Sequence, residues 1–266
     1  MADYSNICDL YDKHLGAVLF EPYAKDLAKH IAGKVSEGAI LEMACGTGIL
    51  TELLRTHLND DIALTATDIS QSMLDYAQGK LDKLENVEWH RADMANLPFK
   101  DETFTAAVCQ FGLMFVENKH QAFKEIHRVL TQGGTLTFSV WDSLENNPPI
   151  QIAHEIVEKL FVENPPQFFK EPYAYHDIDA IKEVLMSSGF ENIEIEILQL
   201  EACSDSVDSF AVGLIEGSPI LDEIQERGTT TSTKFIIDKL STALHQHGGS
   251  PFSSTTQAII VTAQAK

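Results

Sequence analysis

Four short stretches of this 266-residue chain carry residue types that could do chemistry. In the first, Leu41-Glu42-Met43-Ala44-Cys45-Gly46-Thr47-Gly48, an apolar run ends in a Gly-x-Gly turn. Glycines let a backbone turn sharply and approach a ligand closely. The Glu42 carboxylate beside that turn repels a phosphate and suits a ligand that bears an ammonium group. In the second, Asp68 stands 20 residues past Gly48, where a carboxylate can accept both hydroxyls of a ribose. Taken alone, Asp68 is also a helix-capping aspartate. In the third, Arg91-Ala92-Asp93-Met94, Asp93 could accept a hydrogen bond from an adenine amino group while Met94 packs on the ring. Taken alone it is a loop aspartate. The fourth, Cys109-Gln110-Phe111-Gly112-Leu113-Met114-Phe115, is an apolar loop better explained by a cofactor or an apolar substrate than by solvent.

The elements around these stretches alternate. Ala39–Met43, Ile62–Thr67, Val87–His90, Phe104–Gln110 and Thr135–Trp141 read as strands. Leu50, Leu53, Leu54 and Leu58 recur at helical spacing, Ser70–Leu84 reads as a helix capped by Ser70, and Ala122–Leu130 as another. Gln132-Gly133-Gly134 reads as a turn. Repeated strand–helix alternation predicts a doubly wound α/β sheet with parallel strands. Ligands of such sheets bind outside the carboxyl ends of the strands, where all four stretches fall. Residues 5–32, Ile150–Phe161, Ile178–Ser188 and most of Val207–Gly248 read as helical, and Ile193–Leu200 and Thr256–Ala263 as strands. A single domain spanning 1–266 is expected, with its core at about 36–141 and 177–266. Segments 1–32, 142–176 and 205–250 are expected to form a helical cap over the active face.

Composition narrows the partners. The chain has 19 Lys+Arg against 40 Asp+Glu, a formal charge of −21, and 44% hydrophobic residues. That supplies material for a core. It disfavours nucleic acid and anionic membrane surfaces, which need clustered Lys and Arg. The acidic excess is spread along the chain and reads as a solvated surface. Cys8, Cys45, Cys109 and Cys203 form no CxxC pair and no zinc spacing with His, so no metal site is expected. Four free thiols suit a reducing cytoplasm. No apolar run approaches a membrane span, and the N-terminus shows no signal peptide.

Taken together, the motifs resemble those of the class I S-adenosylmethionine-dependent methyltransferases over roughly residues 38–141. LEMACGTG matches the first, ATDIS the second, RADMANLPF the third, CQFGLMF the fourth and RVLTQGGTLTFSVW the fifth. Within that superfamily the chain looks most similar to the small-molecule branch that includes ubiquinone and menaquinone biosynthesis methyltransferases. The resemblance implies seven strands in the order 3-2-1-4-5-7-6, the last antiparallel. It implies S-adenosyl-L-methionine as cofactor, with Ala44, Gly46 and Gly48 under its methionine part and Glu42 toward its ammonium end. Asp68 would hold the ribose, with Ile69 and Met73 following it. Ala92, Asp93 and Met94 would frame the adenine, and Gln110 and Phe111 would lie by the methionine moiety. Ala44 stands where many members have Gly, a substitution tolerable where no positive φ is needed.

The expected reaction is in-line methyl transfer to a small, apolar or aromatic metabolite, in which the protein positions the partners and excludes water. Phe111, Met114, Phe115 and Trp141 are candidate pocket residues, and Phe161, Phe168 and Phe169 could line the cap. Asn147-Pro148-Pro149 and Asn164-Pro165-Pro166 lack the aromatic and the position of an amino-methylating loop, and read as turn prolines. His176, beside Tyr173 and Tyr175, and His14 are candidate bases, while His245 and His247 read as solvated; no base is assigned. Two alternatives stay open. One is a nicotinamide-dependent oxidoreductase, disfavoured by Glu42 and by Thr51 in place of the third fingerprint glycine. The other is a cofactor-binding protein without turnover.

Overall fold

A computed structural model describes residues 5–227 and 232–266. The strands are β1 (Ala39–Met43), β2 (Ala63–Asp68), β3 (Val87–Arg91), β4 (Phe104–Gln110), β5 (Leu130–Trp141), β6 (Phe190–Ser204) and β7 (Phe252–Ala265). They form one sheet in the order β3-β2-β1-β4-β5-β7-β6. β2 and β4 flank β1 in parallel, β3 runs parallel to β2 and β5 to β4. β7 is antiparallel to β5. This is the order the motifs imply. The reversal at β1/β4 sends the chain to opposite sides, which opens a crevice at the carboxyl ends of those two strands.

Contacts divide the chain into two compact units. The first comprises Ala24–Trp141, Tyr175–Leu198 and Ala258–Lys266, and holds all four stretches of interest. Its core strands are hydrophobic runs because a parallel sheet is covered on both faces: Ile40, Leu41, Ala106, Ala107, Val108, Leu136, Phe138 and Val140 are wholly or almost wholly buried. Its helices are α2 (Glu21–Lys34), which begins in the second unit, α3 (Ile49–His57), α4 (Gln71–Lys80), α5 (Lys119–Val129) and α7 (Ile178–Ser187). α4 starts where expected, with Ser70 Oγ accepting from Met73 N at 3.4 Å. α7 stops at Gly189, whose φ of 98° suits only glycine. Gln132-Gly133-Gly134, read from sequence as a turn between a helix and the strand Thr135–Trp141, lies within β5 itself. It is a bulge inside β5, where the register on β4 jumps from Phe104–Leu130 to Ala106–Thr135.

The second unit draws on the described residues of Met1–Tyr23, Asp142–Ala174 and Gln199–Gln257. It holds α1 (Ser5–Tyr11), a π-helical stretch Asp12–Phe20, α6 (Pro148–Leu160), α8 (Val207–Glu216), α9 (Ile220–Glu226) and α10 (Thr233–Gly248). The expected helix over 5–32 is therefore three helical pieces. Residues 228–231 of the expected helical stretch Val207–Gly248 lie outside the described residues. Gly213 of α8 lets that helix press on the π-helical stretch, since a Cβ there would stand 2.6 Å from the His14 Cβ. Pro148 and Pro149 are not turn prolines but the first turn of α6, where their missing N–H groups have no intrahelical partner to lose. Asn147 before them is fully buried. It donates to the carbonyls of Asp142, Ser143 and Gln257 and accepts from Gln257 N.

Among the described residues no helix is long and apolar enough to cross a membrane.

Candidate cofactor site at the strand ends

The first three strand ends are tied together by backbone bonds. Cys45 N donates to Thr67 O at 2.9 Å and Ala92 N to Asp68 O at 3.0 Å. Asp68 sits at the centre. Its Oδ2 accepts from Gly46 N at 2.9 Å and its Oδ1 from Ser70 N at 2.8 Å. Asp68 is thus both a structural acceptor and a carboxylate with lone pairs to spare, since each oxygen can accept twice. Burial pushes its pKa up, and the bonds from Ser70 and Gly46 oppose that.

Glu42 lies in β1 between Ala66 and Val108, and is 1% exposed. Its Oε2 has no hydrogen-bond partner among the described residues. Burial, reinforced by the nearby Asp68 charge, pushes its pKa up to about 8. The Thr51 hydroxyl opposes this as a neighbour, although it too is buried outside hydrogen-bond geometry. A buried carboxyl without a partner is costly unless a cation or a donor reaches it.

The turn after β1 is left-handed at three alternate residues: Ala44 (φ 54°), Gly46 (φ 55°) and Gly48 (φ 81°). Ala44 does take a positive φ, the condition under which it is strained, at about 1–2 kcal/mol. A Cβ on Gly46 would meet nothing within 4 Å, so open space lies against its backbone. A Cβ on Gly48 would stand 2.8 Å from Leu81. The fourth strand end closes on the first. A Cβ on Gly112 would stand 2.4 Å from Ala44 Cβ, 2.9 Å from Cys109 Sγ and 3.6 Å from Met94 Cε. The absent side chain of Gly112 therefore lets Ala44, Met94 and Cys109 converge. Phe111, also left-handed at φ 53°, stacks on Trp141 with ring centroids 3.9 Å apart and 7° from parallel.

The remaining residues divide by exposure. Ile69 is 61% exposed beside buried Asp68, while Met73, Ala92, Met94 and Gln110 are half-buried. Asp93 is exposed, and its Oδ1 accepts from Ala95 N at 2.8 Å, which shapes the loop whatever else it binds. Phe111, Met114 and Trp141 are buried, and Phe115 is 46% exposed. His176 is exposed. In the helical unit, His14 Nδ1 bonds Ser209 Oγ at 2.6 Å, His247 Nε2 bonds Ser254 Oγ at 2.8 Å, and His245 is exposed. Phe161 and Phe169 are buried there and Phe168 half-buried. Among the described residues no cluster of His, Cys, Asp or Glu could hold a metal. Gly112, Lys119 and Tyr175 were not singled out from sequence. Gly112 sits inside the fourth motif, and its closeness to the first loop could have been sought there; the other two lie outside every motif.

The sheet order and the strand-end crevice are those of a doubly wound α/β protein, and comparison with known proteins supplies the family. A family model described as a methyltransferase domain matches residues 41–138. The chain is 31% identical to the demethylmenaquinone methyltransferase of Lactobacillus johnsonii over 197 residues, 68% of this chain and 78% of that protein. It is 27% identical to the enzyme of the same description from Staphylococcus epidermidis over 208 residues, 71% and 84% of the two chains. Its fold is similar to that of phosphoethanolamine N-methyltransferase 2 from Haemonchus contortus, solved with S-adenosyl-L-methionine, at a TM-score of 0.61 and 15% identity. That match covers 97% of this chain and 56% of the other. The chain belongs to the class I S-adenosylmethionine-dependent methyltransferases, in the branch related to menaquinone biosynthesis. It is a methyltransferase and its cofactor is S-adenosyl-L-methionine.

Proposed function

We propose that this enzyme methylates a small, apolar or aromatic metabolite of the quinone-precursor type, and that the strand ends described above hold the methyl donor. The residues present fit that cofactor. Glu42 Oε2 is an orphaned buried acceptor that an ammonium group would satisfy. Gly46 offers bare backbone beside open space. Asp68 keeps acceptor capacity for ribose hydroxyls while its backbone bonds fix its orientation. In this reading Ala44, Gly46 and Gly48 underlie the methionine part, with Gln110 and Phe111 beside it. Ile69, Met73, Ala92, Asp93 and Met94 frame the nucleoside. When bound, the cofactor supplies a sulfonium methyl, an activated group that needs no metal or acid from the protein. The chain's own task is to orient the acceptor in line and exclude water.

The observation that carries the acceptor class is the Phe111–Trp141 stack at the end of β4 and β5, next to the Met94–Gly112 junction. A packed aromatic pair at that strand end suits a flat apolar acceptor beside it. The names of the demethylmenaquinone methyltransferase relatives agree with it. The four cysteines, all free thiols, support a reducing, cytoplasmic setting. The test is transfer of labelled methyl from the cofactor to reduced demethylmenaquinone and to mixed metabolite extracts. Labelled product in an apolar aromatic fraction is expected; label appearing only in nucleic acid or protein would overturn the acceptor class.

A further inference from the structure

Lys119 and Tyr175 form a pair that the cofactor reading leaves unused. Lys119 is the first residue of α5, and its amino group donates to Met114 O at 3.3 Å and Val116 O at 2.8 Å, the turn leaving β4. The same amino group lies 4.4 Å from the centroid of the Tyr175 ring, a cation–π distance. The Tyr175 hydroxyl oxygen is enclosed and has no hydrogen-bond partner among the described residues. A hydroxyl buried without a partner is unfavourable in itself, and buried tyrosines normally find one. Burial raises the pKa of the phenol, so it keeps its proton and can act as a donor and not as a base.

We propose that Tyr175 reads an oxygen on the acceptor. Its hydroxyl donates to a carboxylate, phenolate or enolate oxygen, and Lys119 supplies the adjacent positive charge. This rests on the reading of the loop after β4 as the acceptor side of the site. It narrows the acceptor from apolar aromatic to aromatic with an anionic oxygen. In a chain of charge −21, a half-buried ammonium beside an orphaned phenol is the local exception that such an anion requires.

The probes are naphthoate and its neutral counterpart naphthamide, titrated by calorimetry into the full chain saturated with S-adenosylhomocysteine. Wild type is expected to bind naphthoate more tightly than naphthamide. Tyr175→Phe keeps the ring over Lys119, and is expected to weaken naphthoate about tenfold to a hundredfold while leaving S-adenosylhomocysteine affinity unchanged and the melting midpoint unlowered, since it removes a buried hydroxyl that has no partner among the described residues. Lys119→Met is expected to erase the preference for the anion. Unchanged naphthoate affinity in Tyr175→Phe, or no naphthoate binding to wild type, overturns the proposal, as does a hydroxyl that shifts only the melting midpoint. Failure of the wild type to bind S-adenosylhomocysteine is a separate outcome, which overturns the assignment of the cofactor site.

Discussion

Gly46 N donates to Asp68 Oδ2 at 2.9 Å, so the loop after β1 and the end of β2 are tied to each other by a side chain. Asp68 Oδ1 meanwhile accepts from Ser70 N. A carboxylate held by two backbone donors has little side-chain freedom left to lose on binding. The same bonds mean that the side chain cannot be removed without structural cost.

Asp68→Ala should abolish measurable S-adenosylhomocysteine binding and also destabilise the fold. It strips an acceptor from two backbone amides, at about 1–3 kcal/mol each where they stay buried. Asp68→Asn keeps one carbonyl acceptor and should separate the effects, with affinity lowered more than tenfold and a smaller fall in melting midpoint. Calorimetry and thermal melts on both variants check this. Wild-type affinity in either would show that the ribose lies elsewhere.

Glu42 should make the ligand-free protein less stable as pH rises. Its carboxyl holds a proton to about pH 8 in the native state, against an ordinary value of 4.5. The native state therefore binds more protons than the unfolded one across that window, and stability falls through it, by on the order of 5 kcal/mol in total. Denaturant titrations from pH 5 to about 8 should show the slope, and Glu42→Gln should flatten it.

Cofactor binding should release a proton through the same group. An ammonium beside Glu42 favours its charged form, so near pH 7 binding converts a neutral carboxyl to a carboxylate. Calorimetry of S-adenosylhomocysteine in buffers of different ionisation enthalpy should give close to one proton released in wild type and fewer in Glu42→Gln. Equal release in both would remove Glu42 from the ammonium site.

Gly112→Ala should be destabilising by about 1–3 kcal/mol, because its methyl would collide with Ala44 and Cys109. Ala44→Gly alone should be near neutral. It relieves a left-handed alanine, worth about 1–2 kcal/mol, but frees the unfolded chain by about 0.4–1 kcal/mol. The double variant should recover about 1 kcal/mol of the Gly112→Ala loss, a coupling visible in a denaturation cycle. Additive effects would mean that the two loops do not touch.

Asn147→Ala should cost about 2–4 kcal/mol in stability and leave cofactor affinity unchanged. Both its side-chain polar atoms are spent on the backbone of Asp142, Ser143 and Gln257. Denaturation midpoints together with S-adenosylhomocysteine titration check both halves.

The sheet and the strand-end loops that form its candidate site are legible in the residues alone. Strands such as Ala39–Met43 and Phe104–Gln110 are legible to the residue because buried parallel strands are short apolar runs bounded by turn residues. The junction motifs follow because each lies within a few residues of a strand end. What the tertiary structure decided depends on groups far apart in the chain. Burial raises Glu42 only once β2 and β4 flank it. The left-handed Ala44 is explained only by the loop it turns through and meets Gly112 only across the crevice. Pro148–Pro149 is a generic turn signal until Asn147 is seen bonded to Gln257, 110 residues away. Tyr175 and Lys119 sit in no motif, and only the packing that brings them together leaves an enclosed hydroxyl waiting for a partner. Local pattern encodes the elements; desolvation and long-range contact decide which of their side chains are left unsatisfied, and those are the ones available to a ligand.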